Sequence, residues 1–72
     1  MTQFVFIHQD VNGNVWKHIH FSYIKAMQAR DAWAKMTQVV VAISNKIREL
    51  PRDVPTPRIV GRNVNAIIEL EE

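Results

Sequence analysis

Three observations predict an α+β protein built as a two-layer sandwich. Two strand-like segments flank Asn12-Gly13, a long stretch follows with apolar residues at steps of three and four, and an alternating segment lies near the end. The expected order is β-hairpin, long helix and C-terminal strand (or short hairpin), with an antiparallel sheet of spatial order 2-1-3.

The first strand is expected over 3–9, where Phe, Val and Ile dominate. Phe4, Phe6 and His8 point to one side, and Val5, Ile7 and Gln9 to the other. Large apolar groups on both sides mark a central strand. Asn12-Gly13 is a strong hairpin signal, because a type I′ turn needs positive φ at both central positions. The second strand is then expected over 14–21. A two-residue turn sets Phe4 opposite Phe21, Phe6 opposite Ile19 and His8 opposite Lys17 on the side meant for the helix. It leaves Val5, Ile7, Trp16, His18 and His20 on an open face, the expected partner-binding surface.

A single helix is expected over 22–50, with Ser22 as its N-cap. Ala26, Ala29, Trp33, Met36, Val40, Ile43, Ile47 and Leu50 form its seam. The β-branched run Val39-Val40-Val41-Ala42-Ile43 argues for strand, but the spacing passes through it and no Gly or Pro breaks the stretch. Pro51 is expected to end the helix. Residues 51–57 hold three prolines and read as a stiff connector, and 58–70 as one strand or a short hairpin about Gly61.

Such a helix, about 42 Å long, is longer than the sheet beneath it and too apolar for it to cover. Met27, Ala34 and Val41 add a second apolar line, separated from the seam by Arg30, Thr37 and Ser44. This surplus predicts a homodimer through the helix, with Met27, Ala34, Thr37, Val41 and Ser44 at the interface.

Composition narrows the function classes. Seventy-two residues make one small domain over 1–72, with little surface to bury, and there is no cysteine. No run is long enough to span a membrane and no signal segment is visible, so a cytoplasmic location is expected. His18 and His20 have a spacing two strand imidazoles can use on one metal, yet no third ligand is in view with His8 on the other side. No metal or other cofactor is therefore expected. A nucleophile with base and orienting group, a carboxylate pair and a phosphate-binding glycine loop are all missing from the sequence, so an enzyme acting on a small molecule is not expected. Nine Lys/Arg and four acids precede Ile68, and Glu69, Glu71 and Glu72 close the chain. Lys46, Arg48, Arg52, Arg58 and Arg62 form a basic cluster that could meet phosphates.

The resulting expectation is a non-catalytic binding or regulatory protein of the adaptor or inhibitor kind, acting through protein–protein contacts as a homodimer. The alternative is a small DNA- or RNA-binding regulator using the arginine-rich end.

Overall fold

A computed structural model describes residues 2–55. The chain runs β1 (Thr2–Asp10), β2 (Val15–His20), α1 (Tyr23–Ala34), β3 (Val40–Ile43) and β4 (Arg48–Pro51). The sheet is antiparallel with order β2-β1-β3, and β4 also pairs with β1. The α+β class, the order 2-1-3 and the central place of the first strand match the sequence reading, although Val40–Ile43 takes the third place expected for the C-terminal segment. The alternating segment expected over 58–70, including Arg58 and Arg62, lies outside the described residues.

The hairpin loop has three residues rather than two. Gly13 N–H donates to the Asp10 carbonyl over 3.1 Å, and Asp10 N–H donates to the Asn14 carbonyl over 2.9 Å. Gly13 has φ 83°, and no non-glycine residue is at positive φ among those described. That excludes a type I′ turn, which would need Asn12 there as well. The arrangement is a type I turn closed by a left-handed glycine, a common three-residue hairpin loop. Asp10 secures it: its Oδ1 accepts from Asn12 and Asn14 N–H, each at 2.9 Å, and its Oδ2 accepts from the Trp16 indole N–H at 2.9 Å.

One added loop residue slides the register by one. Phe4 pairs with His20, Val5 with Ile19, Phe6 with His18, Ile7 with Lys17 and His8 with Trp16. The expected pairings Phe4–Phe21, Phe6–Ile19 and His8–Lys17 are thereby corrected. Because side chains alternate, Trp16, His18 and His20 move to the side of Phe4, Phe6 and His8. Gly13→Ala should cost about 1 kcal/mol, since a side chain resists left-handed backbone. No atom lies within 4 Å of the added methyl, so Gly13→Asn, which tolerates that conformation, should recover much of the loss in urea unfolding. An equal penalty for both would show that the loop does not need positive φ.

The helix is the larger correction. It covers Tyr23–Ala34, 12 residues, instead of 22–50. Ser22 does cap it, accepting from Lys25 N–H over 3.4 Å. The chain leaves the helix through turns at residues 35–39, with Val39 and Val40 N–H both donating to the Met36 carbonyl. All but Val39 of the run rejected above as strand then forms β3. Three of these four residues are β-branched, which suits a pleated edge better than a helix, and the free edge of β1 supplies the ladder. Pro51 ends no helix; it is the last residue of β4, opposite Thr2. Val40 and Leu50 are buried as the seam required, but as strand residues.

β3 and β4 are two halves of one interrupted edge. His8 pairs with Ile43 and Val5 with Arg48, so residues 44–47 oppose only Phe6 and Ile7. Ser44 repairs the gap. Its hydroxyl accepts the Ile7 N–H at 3.1 Å, and its own N–H donates to the Ile7 carbonyl at 3.0 Å. From the helix, Arg30 Nε donates to the Ser44 carbonyl at 2.6 Å. Farther along, the buried Gln3 amide donates to the Pro51 and Val54 carbonyls at 3.1 and 3.0 Å, tying down the chain after β4.

α1 lies over the Phe4/Phe6/His8 side, as expected. Ala26 is fully buried, and Ala29, Arg30 and Trp33 are half-buried on the same helix face. Alanines at the contact let the helix approach the sheet closely, and Trp33 fills the space at its far end. On the opposite side of the sheet, buried Ile7 packs with Val15 and Ala42.

Candidate functional site

The sliding register assembles a column of aromatic rings between helix and sheet. Trp33 stacks on His8 with centroids 4.3 Å apart, His8 on His18 at 4.8 Å, and His18 on Phe6 at 4.6 Å. His20 lies parallel to Phe6 at 6.0 Å. Phe4 meets Tyr23 edge-on at 5.7 Å near the start of the helix. Each strand places its rings by alternation, so β1 supplies every second residue from Phe4 and β2 every second residue from Trp16.

Within the column His8 Nδ1 and His18 Nε2 are 2.7 Å apart. One nitrogen must carry the proton and the other accept it, so the neutral pair holds one N–H···N bond. His8 is 3% exposed. Burial lowers its pKa, and the carboxylate of Asp10 acts weakly the other way. Burial also pushes His18 down, to about 4, with the neighbouring His8 and His20 adding to the effect. Asp10 is held below the usual carboxylate range, chiefly by the Trp16 indole N–H. Two imidazoles in contact are a pair that resists charge. With His8 closed under Trp33, the pair offers little to a substrate from solution.

The sequence reasoning excluded His8 from the histidine side and so missed this pair. Its signal was present: Asp10-Val11-Asn12-Gly13 places Asp at the first and Gly at the fourth position, the pattern favoured by a type I turn. Among the described residues, no three His, Asp or Glu side chains converge as a metal site would require.

The expected partner-binding set is split. Val5 and Ile7 lie on one face, buried, while Trp16, His18 and His20 lie on the helix side; Trp16 there is 52% exposed. The expected dimer stripe is dispersed as well. Met27 and Ala34 are exposed on the helix, Thr37 is in the turn after it, Val41 is exposed on β3, and Ser44 is buried in the edge repair. Of the basic cluster, Lys46 precedes β4, Arg48 begins it, and Arg52 follows it with its guanidinium over the Phe21 ring at 5.7 Å. Thr2, Glu49, Leu50, Pro51, Arg52 and Asp53 line a largely open groove of about 880 Å³.

A different apolar surface emerges on the first two turns of α1. Tyr23, Ile24 and Met27 are exposed there, next to exposed Phe21, and Ile24 points directly away from buried Ala26. No protein-family model, curated protein or solved structure matches this chain. No helix among the described residues is long and apolar enough to cross a membrane.

Proposed function

We propose that this chain is a non-catalytic binding protein that acts as a homodimer, joined through the solvent face of α1. The carrying observation is the exposure of Ile24 at 67% and Met27 at 41%, flanked by Phe21 at 54% and Tyr23 at 49%. Single exposed apolar residues are ordinary, but Ile24 and Met27 share the outer side of the helix, and four large exposed ones within seven positions are more than scatter.

The same helix face is complementary to itself. Turning a second copy about a two-fold axis at Gln28 sets Ile24 against the small, exposed Ala32. The reading of the chain as a non-catalytic protein draws support from the closed position of its histidine pair. Nucleic-acid binding has less behind it, because Glu49 and Asp53 interleave with Lys46, Arg48 and Arg52.

Light scattering at micromolar protein should give twice the mass of the chain, and Ile24→Glu/Met27→Glu the mass of one copy. A wild-type monomer, or an unchanged dimer in Ile24→Glu/Met27→Glu, would refute this arrangement.

A further inference from the structure

We infer that the His8–His18 pair is an acid-operated latch, whose double protonation frees Trp33 and the end of α1 from the sheet. The inference is independent of the dimer and rests on where the two rings sit. The N–H···N bond needs one nitrogen with a proton and one without. A first proton can be taken on a nitrogen outside the bond, leaving the bond in place and strengthened by charge. A second turns both facing nitrogens into donors 2.7 Å apart. The bond is then gone, and two positive rings are stacked at 4.8 Å.

Little nearby offsets the second charge. On the helix side of the sheet β1 contributes only Asp10, whose carboxylate favours a charge on His8 less than burial opposes it and is also bound by the Trp16 indole and two loop N–H groups. β2 contributes His20, a third base rather than an acid; Lys17 lies on the other face. α1 contributes Arg30, one turn before Trp33, which is positive and bound to the Ser44 carbonyl, with Asp31 beside it at 3.4 Å. β3 has no ionisable residue. β4 places Glu49 on this side opposite Phe4, at the other end of β1 from His8, and Arg48 on the far face. The rings can relieve the repulsion by parting, and Trp33, stacked on His8 and 5.4 Å from His18, is what covers them.

The direction with pH follows from the burial of both rings. A released imidazole takes its proton near pH 6.5, whereas His18 in place does so at about 4. The released form therefore binds more protons in between, and the closed form is fully favoured above about pH 6.5 and loses its advantage as the pH falls toward 4.

The test is Trp33 fluorescence in the full chain carrying Trp16→Phe, titrated from pH 8 to 3 beside amide exchange of the β1–β2 hairpin. Trp33 should become solvated in a step steeper than one proton while the hairpin amides stay protected. His8→Gln and His18→Gln, which keep a donor and an acceptor but cannot charge, should each move that step at least one pH unit lower. Solvation of Trp33 only together with loss of hairpin protection, or a step unmoved by both variants, would overturn the latch. Should both variants be unfolded at neutral pH, imidazole ¹⁵N shifts of the parent chain decide. His18 largely neutral at pH 5.5 supports it; His18 half-charged near pH 6.5 overturns it.

Discussion

Phe6→Ala should remove about 3–5 kcal/mol of folding stability, the usual cost of deleting a buried aromatic ring. A 72-residue chain has roughly 4–11 kcal/mol in total, so much or all of the margin goes. Phe6 is 2% exposed and is the one large side chain so fully enclosed among those described. It also forms the floor of the ring column, stacked beneath His18. Truncation therefore does two things at once: it opens a void under α1 and lets water reach His18. Urea unfolding followed by far-UV circular dichroism reads the first effect. In whatever fraction stays folded, the pKa of His18 should rise from about 4 toward the ordinary imidazole value. A loss below about 1 kcal/mol is outside the range for a filled core site and would mean that Phe6 is not at the centre of the packing.

Ser44→Ala should cost about 1–3 kcal/mol, the penalty for stranding a buried hydrogen-bonding group. The change removes one oxygen, yet that oxygen is the acceptor for the Ile7 N–H where the edge of the sheet is interrupted. Ile7 is 4% exposed and Ser44 6%, so water is poorly placed to take over. Ser44→Thr keeps the hydroxyl and should recover most of the loss. Amide exchange gives a sharper readout than stability alone, because Ile7 N–H should exchange faster relative to its neighbours in β1. Unchanged Ile7 exchange in Ser44→Ala would show that another group accepts the bond and that the hydroxyl is dispensable.

How much of this was legible in the sequence differs from element to element. β1 was plain, since Phe, Val and Ile on both faces leave few alternatives to a central strand. The start of α1 was plain too, from Ser22 onward. The end of α1 was not, for a definable reason. Val39 to Ile43 is apolar at every position, and a continuous run satisfies a helical period and a strand period equally. β-branching was the discriminating signal, and spacing was allowed to outweigh it. The histidine pair was hidden by one residue of loop length. Asn12-Gly13 invites a two-residue turn, but the Asp10 carboxylate, bonded to Asn12, Asn14 and Trp16, selects the longer one. Every pairing downstream then moves, and His8 crosses from an expected lysine neighbour to an imidazole one. Met27 already stood in the expected apolar line, but Ile24 stands out beside it only once Val40 and Leu50 have left for the sheet.

The pairing of Thr2 with Pro51 and of Gln3 with Leu50 has a consequence during synthesis. β1 leaves the ribosome before the other strands of this sheet and is the most buried of them, and half of its second edge is filled by residues made nearly fifty positions later. At about 5–20 residues per second that is a wait of several seconds, with only the β2 hairpin for shelter. Gln3, Phe4 and Val5 spend it as an open template for any passing extended peptide. The hairpin loop, quick to close and pinned by Asp10, limits how much of that template is on offer.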